Sequence, residues 1–148
     1  MQEKKIVELY VDGACRGNPG PGGWAALLRF SGVEKVLKGA VANTTNNRME
    51  LAAAIEGLKV LTRPCIVSIY TDSEYVQKGM TQWIKKWRLN QWRNGDNKPV
   101  KNLELWQELD ALCRYHDIAW HWVRGHSGHP ENERVDELAR RAIDELNQ

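Results

Sequence analysis

No stretch of the 148-residue chain approaches the apolar length that a membrane span needs, and the opening MQEKK lacks the apolar core of a signal peptide. A cytoplasmic protein is expected. Paired cysteines are missing as well: Cys15, Cys65 and Cys113 are odd in number and far apart, which suits a reducing compartment and excludes a disulfide framework or a paired zinc motif. No repeat, low-complexity tract or linker interrupts the chain, so residues 1–148 are expected to form a single domain, long enough to bury a core without staples. The segment GACRGNPGPGG has neither a Gly-Lys-Ser/Thr ending nor a G-x-G-x-x-G pattern, so nucleotide cradles of those types are excluded.

What is present is ordinary in bulk, with 42% hydrophobic and 27% charged residues. The formal net charge of +2 conceals one uneven segment. Between Trp83 and Lys101, six cations (Lys85, Lys86, Arg88, Arg93, Lys98, Lys101) face a single acid, Asp96, and Trp83, Trp87 and Trp92 are interleaved with them.

KIVELYVDG alternates and reads as a strand that ends at Asp12, followed by a loop holding Gly13, Gly17, Gly20, Gly22 and Gly23. WAALLRF is a second strand and Val36 to Val41 a third, which suggests an antiparallel meander. In TNNRMELAAAIEGLKVL the period becomes helical, with Thr45 or Asn46 as cap, and CIVSIYTDS is a fourth strand ending in Asp72. Strand, helix and strand in that order predict a parallel pairing of the fourth strand with the first. SEYVQKGMTQWIKKW and NLELWQELDALCRY have helical spacing, IAWHWV alternates, and a last helix from about Pro130 turns Val135, Leu138, Ala142 and Leu146 inward. The sum is an α/β fold, a mixed sheet flanked by helices.

A crossover pair ends its two strands on one edge of the sheet, so Asp12 and Asp72 are expected side by side where open α/β sheets bind ligands. Glu50, near the start of the connecting helix, can point to the same place, and Asp136 in the last helix can face the sheet. Each acid alone has a plainer reading as a turn or first-turn residue. Together, carboxylates without His or Cys partners favour a hard ion such as Mg²⁺ or Mn²⁺.

YVDGACRGNPGPGGW, TTNNRMEL, TDSEYV, NKPVKNLELW and WVRGHSGHPENERVDELA, in that order, resemble the bacterial ribonuclease H family, type 1, over essentially the whole chain. The resemblance implies a five-stranded sheet, with strands one to three antiparallel and strands four and five parallel to the first. It also implies hydrolysis of the RNA strand of RNA/DNA hybrids with a divalent metal, leaving a 3′-hydroxyl and a 5′-phosphate. By motif match the metal ligands are Asp12, Glu50, Asp72 and Asp136, serving a two-metal mechanism with Mg²⁺, for which Mn²⁺ can substitute. His126, in the GHSGH loop, matches the family's mobile histidine, which assists proton transfer or product departure, a task suited to an imidazole side chain.

The resemblance further assigns Cys15, Asn18, Asn46 and Asn47 to reading the RNA strand, with Glu74 beside the site, and Thr45 with Asn102 to a phosphate pocket for the DNA strand. The basic segment, with Trp83, Lys85, Lys86, Trp87 and Arg88, matches the protrusion that grips the DNA strand, although the tryptophans also have the helical spacing of core anchors. Two positions depart from the pattern: Asn43, where some relatives carry arginine, and Glu74, where an amide is common. A monomer is expected. The alternatives at this point are another nuclease of the same general fold acting on DNA, and a hybrid-binding module without turnover.

Overall fold

The computed structural model describes residues 6–124 and 129–146. Five strands form one mixed sheet in the order β3-β2-β1-β4-β5: β1 Ile6–Cys15, β2 Gly20–Phe30, β3 Val33–Thr44, β4 Ile66–Thr71 and β5 Asp117–Trp122. β1 pairs antiparallel with β2, and β2 with β3, while β4 runs parallel to both β1 and β5. This is the expected mixed sheet. The helices are α1 Asn46–Lys59, α2 Glu74–Lys78, α3 Ile84–Leu89, α4 Leu103–Tyr115 and α5 Pro130–Leu146.

The period of two along each strand divides the core between the sheet's faces. Val7, Leu9 and Val11 of β1, with Val67 and Ile69 of β4, pack under α1 and α4, where Trp106 is fully buried. On the other face Ala25 and Leu27 of β2 meet Val135 and Ala139 of α5.

Two sequence expectations are corrected. β1 does not end at Asp12; it continues to Cys15, paired with β2 alone after its partnership with β4 stops at Tyr10 and Tyr70. Most of the glycines of the expected loop therefore stand in strands, where they admit neighbours: a side chain at Gly23 would run into the Ala139 carbonyl of α5. In the last helix Ala139 and Ile143 are buried as well as Val135 and Ala142, whereas Leu146 is 39% exposed. In β5, Ile118 and Trp120 pack on the core and Trp122 is 43% exposed.

α2 and α3 are the ends of one helical run whose middle, Gly79–Trp83, is a π-helical turn. Gly79 lies on the Trp106 indole, so close that no side chain fits there. A π turn rotates the residues after it relative to those before, a device that is frequent near functional sites.

Candidate active site

Asp12 and Asp72 each lie two residues beyond the last β1–β4 couple, Tyr10 and Tyr70, so the parallel register brings them abreast at the carboxyl edge. Asp12 shares its strand face with Tyr10 and Ala14, which pack toward α5, and from α5 Asp136 lines the same cavity. Glu50 arrives from α1. Its approach depends on Gly13, where any Cβ would strike the Met49 carbonyl carbon and the Glu50 nitrogen; the Gly13 N–H donates to Glu50 Oε1.

One carboxylate oxygen from each of Asp12, Glu50 and Asp72 lies within 4.8 Å of the others. Asp12 is 5% and Glu50 6% exposed. Burial, then the charges of Glu50 and Asp72, push the Asp12 pKa far above the usual carboxylate range. Burial and then Asp72 also raise that of Glu50, partly offset by hydrogen bonds, the Gly13 N–H among them. Asp136 is more open and is paired with Arg140 at 3.0 Å, one turn on. The cavity around these acids has a volume of about 470 Å³. The carboxylates of the acids offer oxygen ligands, which fit a hard divalent cation.

The other expected residues fall in several places. Cys15, Asn46, Asn47 and Glu74 line this cavity. Asn18 does not; its Oδ1 accepts the Asn46 N–H at 3.1 Å, tying the β1–β2 turn to the start of α1. Thr45 is the α1 cap, accepting from the Arg48 N–H at 3.2 Å, and Asn102 holds a left-handed backbone, φ 60°, just before α4. His126 lies outside the described residues.

Arg48 joins Thr45 to Asn102. Its guanidinium donates to Asn102 Oδ1 at 3.1 Å and pairs with Glu104 at 2.7 Å, while Asn102 and Trp106 each donate to the Tyr75 hydroxyl at 3.0 Å. The sequence signal was there but unused: a cation in a helix's first turn opposes the macrodipole and calls for a partner. Asn132 was also missed. It is buried and lines the acidic cavity.

Trp83 and Trp87, with Tyr75, Asn47 and Lys101, line a second cavity of about 370 Å³, and Asn47 and Tyr75 border both. The two indoles are half-buried and packed against the core with Trp106, so they serve as anchors and as a wall at once. Lys85 and Lys86 are exposed. Arg88 differs from its expected place among the phosphate-facing cations: it pairs with buried Asp110 of α4, its Nε 3.1 Å from Oδ2 and its Nη2 on Oδ1, so its charge is already matched.

Residues 4–144 match the family model for RNase H. The chain is 66% identical over 146 residues to a ribonuclease H of Hydrogenovibrio crunogenus, covering 99% of both, and 59% identical over 142 residues to one of Paramagnetospirillum magneticum, covering 96% of this chain and 92% of that one. Among solved structures it is similar to LC9-RNase H1, described as a type 1 RNase H with the type 2 active-site motif, with a TM-score of 0.88 and 33% identity over 98% of this chain and 75% of that one. With the sheet order and the acidic centre agreeing with that likeness, the chain belongs to the RNase H family.

Proposed function

We propose that this protein is an endonuclease that hydrolyses the RNA strand of RNA/DNA hybrids, leaving a 3′-hydroxyl and a 5′-phosphate, and that Asp12, Glu50, Asp72 and Asp136 hold its divalent metal, Mg²⁺ with Mn²⁺ as a substitute. Membership of a family whose relatives at 59–66% identity are named ribonuclease H supports the activity. The observation that carries the metal assignment is the meeting of three carboxylate oxygens within 4.8 Å, two of the groups buried. Like charges so close resist ionisation unless a cation compensates them. When bound, divalent ions in such sites activate water and stabilise a leaving oxygen in in-line displacement at phosphorus.

The chain's own residues do the rest. The buried carboxylates of Asp12 and Glu50 fix the centre, since the sheet and α1 leave them little freedom, while Asp72 and the more open Asp136 complete it from β4 and α5. Cys15, Asn46 and Asn47 stand along the cavity where a ribose 2′-hydroxyl would distinguish RNA from DNA. Thr45 and Asn102, drawn together by Arg48, face a DNA-strand phosphate, with Asn18 steadying the neighbouring turn. Trp83 and Trp87 offer indole surface, and Lys85 and Lys86 the phosphate-neutralising charge. His126 assists proton transfer or product departure.

We assign residues 1–148 to one catalytic domain acting as a monomer in the cytoplasm. One sheet with its helices accounts for the described residues, the three cysteines are free, and among those residues no helix is long and apolar enough to cross a membrane.

The test is cleavage of one labelled duplex offered as RNA/DNA, RNA/RNA and DNA/DNA, with Mg²⁺ or chelator, by the parent protein and Asp12→Asn. Metal-dependent cutting of the hybrid's RNA strand alone, lost in the variant, is expected. Cutting of DNA would move the protein to the other nucleases of this fold, and binding without cutting would make it a recognition module.

A further inference from the structure

Tyr10 of β1, Tyr70 of β4 and His121 of β5 are direct partners in the parallel register, and their rings form one stack. The Tyr10 and Tyr70 ring centroids are 4.7 Å apart at an interplanar angle of 16°, and those of Tyr70 and His121 are 4.6 Å apart at 14°. Neighbouring strands lie about 4.7–4.9 Å apart, so level rings on parallel strands meet face to face at that spacing. Arg29 of β2 closes the Tyr10 end, its guanidinium carbon 5.7 Å from the ring centroid. Core packing does not account for the whole row: Tyr10 packs beside α5, but Tyr70 is half-buried and His121, on the edge strand, is exposed.

What distinguishes the row is its level on the sheet. Tyr10 and Tyr70 are the last couple of the β1–β4 pairing, and two residues further, on the same face, stand Asp12 and Asp72. Two carboxylates brought together there repel one another, at the point where the backbone ladder between their strands has stopped. The stacked rings directly before them still tie β1 to β4 on this face. We propose that the Tyr10–Tyr70–His121 stack sets the separation of Asp12 and Asp72, with Tyr70, stacked on both its faces, as the positioning residue for this pair of acids. This rests on the reading of Asp12, Glu50, Asp72 and Asp136 as metal ligands. It gives the edge strand β5 a part in metal binding, through the imidazole that backs Tyr70.

Calorimetric titration of Mg²⁺ into substrate-free protein tests it, comparing the parent with Tyr70→Phe, Tyr70→Thr, His121→Ala and Asp12→Asn. Phe keeps the ring, whereas Thr keeps a good strand residue without one. Groups that orient metal ligands change affinity by roughly 10- to 100-fold when removed, so Tyr70→Thr should bind Mg²⁺ at least about tenfold more weakly, and Tyr70→Phe as the parent does. His121→Ala opens one face of the stack and should weaken binding by about two- to tenfold, the effect of one aromatic pair. Because His121 is exposed, that variant decides the matter if Tyr70→Thr does not fold. Unchanged Mg²⁺ affinity in Tyr70→Thr or in His121→Ala overturns the inference, whatever happens to the melting temperature in chelator. A Tyr70→Phe that binds as weakly as Tyr70→Thr overturns it too, since the effect would then lie in the hydroxyl. If Asp12→Asn binds Mg²⁺ as the parent does, the carboxylate reading itself fails; if only Asp12→Asn loses the metal, the inference about the stack alone is wrong.

Discussion

The backbone N–H of Gly13 donates to the side chain of Glu50, across 37 residues of sequence, and so β1 and the first turns of α1 close on one another beside Asp12. The absent side chain at position 13 makes that closure. In Gly13→Ala the new methyl group would meet the Met49 carbonyl oxygen at 2.8 Å as well as the backbone of Glu50, and the start of α1 would have to retreat. Displacing a catalytic group by about 1 Å can cost roughly 100-fold. A single-turnover rate reduced by about that factor is expected, with a loss of about 1–3 kcal/mol in urea unfolding from overpacking. A rate near the parent's would show that Glu50 does not depend on this contact.

Asp12→Asn should stabilise the protein in chelator while abolishing turnover. Asp12 is buried among acceptor groups, and an amide in its place removes one of the crowded carboxylates. A higher urea midpoint at neutral pH in chelator is expected, because a buried like-charge contact is relieved. Mg²⁺ should raise the melting temperature of the parent by mass action on the folded state, and much less that of the variant. Equal shifts in both would place the ion elsewhere.

His116, between α4 and β5, supplies a pH dependence unrelated to the metal. Its Nδ1 accepts the Cys65 N–H at 3.0 Å, and its Nε2 is buried without a good hydrogen-bond partner among the described residues, the nearby Leu58 carbonyl offsetting only part of the burial. Burial therefore lowers its pKa. The unfolded imidazole takes a proton near pH 6.5 while the folded one resists. Stability should thus be full above about pH 6.5 and decline as the pH falls from there toward the folded pKa. Urea midpoints between pH 5 and 8 check this, and His116→Asn, which keeps an acceptor for Cys65, should flatten the dependence.

The parallel β1–β4 pairing and the meeting of Asp12 with Asp72 were legible because each follows from order or spacing, and the α1 cap was narrowed to Thr45 or Asn46, of which Thr45 is the cap. The far end of β1 was not. Gly13 to Cys15 continue as strand only because β2 pairs with them, and glycine gives no strand signal by itself. The π turn was hidden because Gly79 inside an apolar helical pattern reads only as a weak helix former, whereas its reason is the Trp106 ring beneath it. Asn132 and Arg48 were passed over because a polar residue in a first turn looks like a cap or a solvated face until burial and partners are known. For Arg88, sequence showed the charge but not the buried acid on α4 that takes it up.

That pairing separates the cations of the basic segment into two kinds with opposite signatures. Lys85 and Lys86 have exposed side chains, so their joint replacement by alanine should leave the melting temperature unchanged, raise KM for the hybrid, and reduce the slope of log affinity against log salt by up to about 2, near one per lost phosphate contact. Arg88→Ala should do the reverse. It leaves Asp110, 7% exposed at its side chain, without its bidentate partner, and because Arg88 itself is about one-third open to water the cost is about 1–3 kcal/mol, less than for a wholly buried pair. Its salt slope should stay that of the parent. Salt titrations of hybrid binding, set beside melting curves of the same variants, distinguish the two: a flattened slope in Arg88→Ala with unchanged melting would return Arg88 to the phosphate-binding set and leave the Asp110 contact without a structural task.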